Sequence, residues 1–433
     1  MAREKELQKK NYIPVIGLEV HVEVKTKSKM FCGCPADPFG REPNSATCPV
    51  CLGLPGALPV PNRLAIEKTV SLAKVLGCTI TNFSHFERKN YFYPDLAKSF
   101  QISQYASPVG DLGSFAGITV RRVHLEEDTG KLMHEGDKTL IDFNRAGVPL
   151  IEIVTDPEFS DPQKVADFLK ELRTVITHYR ISDADMEKGS MRLEANISLK
   201  GEGQKELPNY KVELKNINSF AFLKSALEFE IERQKEILTK GGKVAQETRG
   251  YDAKKGETFS QRVKEEAFDY RYFPEPDIPP LTGKSLKSGE EFESLTDVKA
   301  EYKALGLPEN YIRVFLEDHQ LAEVFAQLKE LVEPKDAANL IVNKRFGDPK
   351  KLTAGELAAQ YRKSKEKAVL SEGNLREMAE KVLLDNPGPV SDYAKGQQNA
   401  QQFLFGKLMV RAAGKVNPQE GQRILKELLD ART

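Results

Sequence analysis

The sequence predicts an α+β protein, in which an antiparallel sheet with helices on one face is followed by all-helical C-terminal domains. Two observations support this prediction. Several segments before residue 290 alternate apolar and polar residues, as antiparallel strands do when one face packs on a core. From about residue 295 onward, apolar residues recur at helical spacing, and short polar turns separate the segments.

The first predicted strand, residues 16–24, shows the alternation most clearly. Its apolar residues point to one face of the sheet, so Glu19, His21 and Glu23 share the other face. Segments 192–199 and 211–215 repeat the pattern, and their polar residues are Arg192, Glu194, Asn196, Ser198, Lys211, Glu213 and Lys215. An ordinary solvated strand face would carry mainly Lys, Thr and Ser.

Helices are predicted to cover the apolar face of this sheet. Asp161 followed by Pro162 is a favourable N-cap and first-turn pair for one of them. Further amphipathic helices are predicted in the C-terminal part. The predicted helices are residues 64–76, 162–179, 220–238, 317–331 and 354–365.

With 433 residues, the chain exceeds what one ordinary hydrophobic core accommodates. The proline-rich segment 273–280 is unsuited to the interior of a helix or sheet, and Asn386-Pro-Gly-Pro marks a second break. We therefore predict a sheet-containing domain at 1–294, a helical domain at 295–385 and a helical tail domain at 386–433.

Composition restricts the class of protein. Hydrophobic residues make up 40% and charged residues 30%, which is typical of a globular chain. No apolar run is long enough for a membrane span, and the N-terminus lacks a signal peptide, so we expect a cytoplasmic protein with no membrane partner. Lys and Arg total 64, as do Asp and Glu, so any nucleic-acid surface has to be a local patch.

Four cysteines form two close pairs in Gly/Pro-containing turns. Thiolates spaced in this way can converge tetrahedrally on one zinc ion, and four protein ligands leave no position for catalysis. The alternative is four packed thiols without a metal. We expect structural Zn²⁺ at Cys32, Cys34, Cys48 and Cys51, and we expect Cys78 to lie in the core.

Acidic residues on strands suggest a second metal site. Glu152 lies in an otherwise apolar strand, where an ionised carboxylate needs a cation or hydrogen-bond donors. Together with Glu19, His21 and a carboxylate cluster at 126–128, it favours Mg²⁺ or Mn²⁺ over isolated structural salt bridges. Strand alternation places Glu126, rather than Glu127, on the face of His124.

Basic and amide side chains nearby are suited to phosphates, although such residues on a sheet face are often merely solvated. Neither a P-loop nor a dinucleotide-binding glycine motif is present, so ATP would be bound in another way. The sequence also lacks an amidase-like serine motif or a cysteine with a credible histidine partner, so it has no evident means of releasing ammonia from glutamine. The candidate phosphate-binding residues are Arg88, Lys89, Arg192, Asn196, Lys211 and Lys215.

Several long segments resemble the GatB family, one of the three components of the heterotrimeric tRNA-dependent amidotransferases, over nearly the whole chain. The first carries Ile16-Gly-Leu-Glu-Val-His-Val-Glu, and the others occur in the same order as in that family. They are Arg88-Lys-Asn-Tyr-Phe-Tyr-Pro-Asp, Gln101-Ile-Ser-Gln-Tyr, His124-Leu-Glu-Glu-Asp-Thr-Gly-Lys, Asn144-Arg-Ala-Gly-Val-Pro-Leu-Ile-Glu-Ile, Met186-Glu-Lys-Gly-Ser-Met-Arg-Leu-Glu-Ala-Asn-Ile-Ser, Glu213-Leu-Lys-Asn-Ile-Asn-Ser-Phe, Asp269-Tyr-Arg-Tyr-Phe-Pro-Glu-Pro-Asp and Phe403-Leu-Phe-Gly-Lys-Leu-Met.

The resemblance implies a cradle domain similar to glutamine synthetase, a helical domain and a YqeY-like tail. It implies ATP and Mg²⁺ as cofactors, with Glu19, His21, Glu127 and Glu152 as the metal-binding, catalytic set. Glu194 joins the ATP-contacting residues in this comparison. The family match favours Glu127 where strand alternation favours Glu126.

The same resemblance implies the activity and the partners. ATP would phosphorylate the side-chain carboxyl of Glu-tRNA(Gln) or Asp-tRNA(Asn), and ammonia from a glutaminase would displace the phosphate. Expected partners are the amidase (glutaminase) component of the amidotransferase, its small third component and the misacylated tRNA. Two alternatives stay open: a glutamine-synthetase-like ligase for a free acid, and a zinc-stabilised RNA-binding scaffold without catalysis.

Overall fold

The computed structural model describes residues 11–263, 271–287, 289, 292, 295–366, 372–412 and 417–432. Two compact units are present. One comprises Met1–Ala304 and Ile312–His319, and the other Leu305–Tyr311 and Gln320–Thr433. The first two residues of the 269–277 motif and the end of the predicted 1–294 domain lie outside the described residues. The three-domain division stays a prediction.

The first unit contains strands that form one large sheet and three small ones. The large sheet has nine strands in the order β14-β13-β12-β11-β1-β10-β7-β6-β2, and the small ones are β15-β4-β5, β16-β3 and β8-β9. The strands are β1 (Tyr12–Glu23), β2 (Thr79–Ile80), β3 (Phe83–Ser84), β4 (Glu87–Asn90), β5 (Phe100–Ser103), β6 (Gly110–Phe115), β7 (Ile118–Glu127), β8 (Lys131–Glu135), β9 (Lys138–Asp142), β10 (Pro149–Thr155), β11 (Met191–Gly201), β12 (Val212–Ile217), β13 (Glu247–Asp252), β14 (Glu257–Val263), β15 (Phe273–Pro274) and β16 (Leu281–Thr282).

The helices of the first unit include the three that the sequence predicts to cover the sheet. The Asp161 side chain accepts a hydrogen bond from the Gln163 N–H at 2.8 Å and caps the second of them, as its sequence predicts. The described helices that lie wholly within this unit are α1 (Arg63–Val75), α2 (Pro162–His178), α3 (Phe220–Thr239), α4 (Lys284–Lys287) and α5 (Leu295–Ala304).

The helices that follow have at most 14 residues each, whereas the longest helices of the first unit have 17 and 20. The helix predicted at 317–331 is present as His319–Leu328, but its predicted bounds are too wide, because the preceding helix ends at Glu317 and this one begins at His319. Asp318 lies between them, and aspartate favours such boundaries because its side chain competes for backbone hydrogen bonds. These helices are α6 (Glu309–Glu317), α7 (His319–Leu328), α8 (Pro334–Val342), a 3₁₀ turn (Pro349–Lys351), α9 (Ala354–Glu366), α10 (Glu372–Asp385), α11 (Pro387–Ala394), α12 (Gln398–Arg411) and α13 (Pro418–Asp430).

The α+β prediction is confirmed by an antiparallel-dominated sheet and a helical C-terminal part. Among the residues that the structure describes, every pairing in the large sheet is antiparallel except β12 with β13. A parallel pair needs a crossover connection, and α3 provides it. The segment Phe273–Pro274 does form a strand, but at the edge of its small sheet, where a missing N–H is tolerated.

One face of the large sheet carries the hydrophobic core of the first unit. Leu18, Val20 and Val22 from β1 are buried there with the apolar sides of α1, α2 and α3. Since the side chains of a strand alternate, burial of this set leaves the intervening polar residues of β1 on the opposite face. The helices thus cover the apolar side of the sheet, and the polar side chains of β1 lie on the side that these helices do not cover.

The C-terminal helices have their own core. Buried leucines of α10, α12 and α13 pack together in it, among them Leu375, Leu404 and Leu425. Asn417 caps α13 by accepting a hydrogen bond from the Gln419 N–H at 3.0 Å. Among the described residues, no helix has the length and apolar character needed to cross a membrane.

A buried ionic network fixes α3 against β13 and β14. Glu230 is fully buried, and its carboxylate lies 2.9 Å from guanidinium nitrogens of both Arg233 and Arg249. The amide of Gln234 donates to it at 3.1 Å. Because a buried carboxylate is tolerated only when it is paired, this residue ties the helix to the end of the sheet.

We expect Glu230→Ala to lower the free energy of unfolding by about 3 kcal/mol, because two guanidinium groups lose a buried counter-ion. Urea denaturation followed by circular dichroism measures this change. The matched control on the same helix is Glu228→Ala, which removes an exposed contact of 3.7 Å with Lys224. Its effect should stay within about 0.5 kcal/mol, and equal effects of the two variants would contradict the role assigned to Glu230.

Candidate active site and metal centre

The polar face of the large sheet brings together residues from four neighbouring strands. In register, His21 of β1 lies opposite Glu152 of β10 on one side and Arg192 of β11 on the other. Glu152 in turn lies opposite His124 of β7. Directly opposed residues in antiparallel strands are close enough for their side chains to interact. A row of three basic side chains and one carboxylate, in the order Arg192, His21, Glu152 and His124, therefore crosses the sheet at this level.

Glu126 completes a group of three ligand-type side chains. The His21 Nε2 atom lies 3.4 Å from Glu126 Oε1 and 3.7 Å from Glu152 Oε2. Ligand atoms of all three residues lie within 4.8 Å of one another. Both carboxyl groups are buried. One imidazole and two carboxylates are donors suited to Mg²⁺ or Mn²⁺.

Charges around this group perturb its titration. Burial alone would raise the pKa of Glu152, but His124, His21 and Lys89 hold it well below its ordinary value. Burial raises the pKa of Glu126 above its ordinary value, and the Glu152 carboxylate adds to that rise. Burial would lower the pKa of His21, but Glu152 and Glu126 raise it. Such opposed shifts are typical of a site built to bind a charged ligand.

Glu127 is not brought together with His21 and Glu152. It follows Glu126 on β7, so its side chain points to the other face of the sheet. There it pairs with Lys98 and accepts a hydrogen bond from the Ile102 N–H at 3.0 Å. Strand alternation thus agrees with the geometry, which brings Glu126 rather than Glu127 together with His21 and Glu152, and the metal-ligand role of either glutamate stays a prediction.

A second acidic group lies beside the first. Ligand oxygens of Glu19, Glu194 and Glu213 lie within 4.8 Å of one another. Burial raises the pKa of Glu19, and the carboxylates of Glu152 and Glu194 raise it further. The sequence places Glu213 on the polar face without predicting it as a ligand, although its shared face with Lys215 is an available signal.

Basic and amide groups surround these acids. Lys215 lies 2.8 Å from Glu194 and 3.2 Å from Glu213, and the Asn196 amide donates to Glu19 at 2.9 Å. Lys89 is close enough for Glu126 and Glu152 to raise its pKa against burial. Lys211 is exposed and lowers the pKa of Glu19 through its charge.

Arg88 is not brought together with this face. It lies on β4, where strand alternation turns it away from its neighbour Lys89. Its guanidinium makes two hydrogen bonds to Glu275, at 2.7 and 2.8 Å, and lies over the ring of Phe100. These bidentate bonds raise the pKa of Arg88. No sequence pattern indicates this partner, which lies 187 residues away.

Arg192, on the polar face, forms an ion pair with Asp128. Its guanidinium donates to Asp128 at 2.6 Å, and Arg145 approaches the same carboxylate at 3.6 Å. Burial and the neighbouring Asp128 raise the pKa of Glu23 to about 8. Sequence reasoning misses the roles of Asp128 and Arg145, because no periodic pattern connects residues on separate loops.

Several buried polar atoms on this face have no hydrogen-bond partner within the described protein. Four of them are Arg122 Nε, His124 Nδ1, Arg192 Nε and Asn196 Oδ1. Buried polar groups are normally satisfied, so exceptions clustered on one face require an explanation. A bound polar ligand or ordered water provides one.

The four cysteines also converge. Their Sγ atoms lie within 4.8 Å of one another, and those of Cys48 and Cys51 are 3.8 Å apart. A tetrahedral zinc site with bonds of about 2.3 Å has sulfur atoms about 3.8 Å apart, so this donor set fits zinc. A hydrogen bond from Cys32 lowers the pKa of Cys51 to about 4, and the Cys48 N–H and Lys29 contribute.

Comparison with known proteins extends over both units. Residues 14–286 match the family model of the GatB/GatE catalytic domain, and residues 311–429 match that of the GatB domain. The B subunit of an aspartyl/glutamyl-tRNA(Asn/Gln) amidotransferase from Thermotoga maritima is 41% identical, over 97% of this chain and 99% of its own. Proteins with the same name from Thermoanaerobacter sp. and Persephonella marina are 40% identical, each over 96% of this chain and 99% of theirs.

We expect Glu126→Gln to weaken Mn²⁺ binding by more than about tenfold, because it removes a negative ligand. Electron paramagnetic resonance of free Mn²⁺ measures the affinity. Glu127→Gln is the matched control, since its side chain faces the opposite side of the sheet and pairs with Lys98. It should lower thermal stability while leaving the Mn²⁺ dissociation constant nearly unchanged. Weaker binding in Glu127→Gln alone would show that the assignment of Glu126 is wrong.

Proposed function

The chain belongs to the GatB family of the tRNA-dependent amidotransferases, and we propose that it activates the side-chain carboxyl of Glu-tRNA(Gln) or Asp-tRNA(Asn) with ATP. Ammonia then converts the activated carboxyl to the amide. The observation that carries this proposal is the pair of acidic groups on one sheet face, each flanked by cationic side chains.

The chemistry requires activation because a carboxylate resists attack by ammonia. The carboxylate oxygen attacks the γ-phosphorus of ATP, the bond to the β,γ-bridging oxygen breaks, and ADP leaves. Ammonia then attacks the carbonyl carbon of the acyl phosphate, loses a proton, and inorganic phosphate departs. The protein has to position these groups and neutralise their charge.

Two cation positions are proposed on the polar face. His21, Glu126 and Glu152 would hold one Mg²⁺, and Glu19, Glu194 and Glu213 a second. When bound, Mg²⁺ neutralises phosphate oxygens and polarises the phosphorus that is attacked. Mn²⁺ is also suited to the position that includes His21.

The side chains around these groups would bind the phosphates and the carboxylate. Lys89 is half-buried near Glu126 and Glu152, and its ammonium can balance the charge of a phosphoryl group arriving there. Arg192 keeps its Nε donor unused within the described protein while Asp128 holds its other end. Lys215 and Asn196 would bind phosphate oxygens near the second cation position, where they contact Glu194 and Glu19. The exposed Lys211 would contact phosphates from the solvent side of the face. Arg88 is tied to Glu275, so we assign it a structural role.

Partners are proposed from what this sequence lacks. It contains no amidase-like serine motif, so ammonia would come from glutamine through the amidase (glutaminase) component of the complex, assisted by the small third component. The domains at 295–385 and 386–433 would bind the misacylated tRNA by shape and phosphate contacts. We propose the cytoplasm as the location, since charged tRNA is used there. The cysteine group would hold structural Zn²⁺.

We expect ATP hydrolysis by the complex of this chain with its partner proteins to be stimulated by misacylated Glu-tRNA(Gln). Glu152→Gln should lower this rate by roughly 10²–10³-fold, because the site loses charge that stabilises the transition state. Glu202→Gln, which changes an exposed carboxylate just after β11, should retain the normal rate.

Two outcomes would contradict the proposal. Equal stimulation by free glutamate would indicate a small-molecule ligase. No ATP turnover, with tRNA binding intact, would indicate an RNA-binding scaffold. Correctly charged Gln-tRNA(Gln) provides the negative control, because its side chain has no carboxylate to phosphorylate.

A further inference from the structure

Lys29 is a buried cation next to the cysteine group. Its side chain is fully buried, and its ammonium donates to the Ala46 carbonyl at 2.8 Å and the Phe143 carbonyl at 3.3 Å. The third contact of the ammonium is Cys51 Sγ, at 3.8 Å. An ammonium offers three hydrogens, and these three acceptors account for them.

The ammonium has no carboxylate partner within ion-pair distance in the part of the chain that the structure describes. Two carbonyl dipoles only partly replace the water that a buried ammonium gives up, and removing a charge from water costs several kcal/mol. Fully buried lysines are rare unless they are paired with an opposite charge. The negative charge has to come from the remaining contact, which is sulfur.

Four thiolates around one Zn²⁺ carry a net charge of −2, which gives Lys29 the counter-ion it lacks. We propose that Lys29 is a positioning residue for the zinc centre: its ammonium binds the Cys51 thiolate and offsets the charge of the cluster. This inference rests on the proposed zinc site. It adds a hydrogen bond of the kind that orients ligands and tunes affinity at metal centres.

Lys29 also connects the cysteine group to the polar face of the sheet. The residue after it, Met30, donates its N–H to the Gly147 carbonyl at 2.7 Å, and the Gly147 N–H donates to the Asp128 carbonyl at 2.9 Å. Asp128 holds the Arg192 guanidinium. A Cβ at Gly147 would lie 3.5 Å from both Cys51 and Lys29, so these elements pack closely. A metal-filled cluster would thereby fix the segment that carries Asp128.

We expect Lys29→Met to weaken zinc binding by about 10–100-fold, since the thiolates lose their counter-ion. Zinc affinity is measured by competition with a chromophoric chelator, and zinc content by mass spectrometry. Lys27→Met is the matched control, because it removes an exposed lysine two residues away. It should bind zinc as tightly as the wild type.

Thermal unfolding with and without zinc separates this role from a purely structural one. If Lys29 served only as a hydrogen-bond donor to the two carbonyls, Lys29→Met would destabilise the zinc-loaded and zinc-free proteins equally. We expect a smaller gain in melting temperature on zinc loading in Lys29→Met than in the wild type. Lys29→Gln keeps a hydrogen-bond donor and removes the charge. It should show the same smaller gain in melting temperature on zinc loading, and it serves as the test if Lys29→Met does not fold.

The outcomes distinguish this inference from the zinc site on which it rests. A wild type that binds no zinc would overturn both. A wild type that binds zinc, with unchanged affinity in Lys29→Met and Lys29→Gln, would overturn the role of Lys29 alone and leave the zinc site standing.

Discussion

The central strand β1 pairs antiparallel with β10 and β11, and its register decides which side chains meet on the polar face. His21 faces Glu152 and Arg192, while Glu19 faces Glu194. A shift of one residue would exchange the faces and put Leu18 and Val20 among the carboxylates. Since the apolar residues of β1 are buried under three helices, the register is fixed by the core. The geometry of the site is thus a consequence of hydrophobic packing on the opposite side.

On the polar face, carboxylates and basic side chains lie close together, and their opposite charges balance one another. Each acidic group has a basic neighbour, with His21 and His124 beside Glu152, and Lys215 between Glu194 and Glu213. Burial raises the pKa of Glu126 and Glu19, so these two carboxyl groups resist ionisation in the free protein. A bound cation would remove that resistance. Cation binding and carboxylate deprotonation are therefore coupled in this arrangement.

Local patterns predict what depends on local geometry. Alternation along single strands identifies the polar face and favours Glu126, and helical periodicity locates α1, α2 and α3 to within a residue or two at each end. Alternation could also have added Glu213. Contacts between residues far apart in the sequence leave no such pattern. Arg88 and Glu275 are separated by 187 positions, and Arg192 and Asp128 by 64. Lys29 and Phe143 are separated by 114 positions. The family match locates the acidic motif and favours Glu127, whereas the side chain that lies near His21 and Glu152 is that of Glu126.

The position of β1 in the sheet also determines when the sheet can assemble during synthesis. Residues 12–23 leave the ribosome early, but their partners begin only at Pro149 and Met191. Hairpins such as β6–β7 and β8–β9 join neighbours in sequence and close a short loop, whereas β1 must close loops of more than a hundred residues. The first strand made therefore waits over a longer stretch of chain for its first partner than any other strand of the large sheet within the described residues. Its apolar side needs protection from aggregation until β11 emerges.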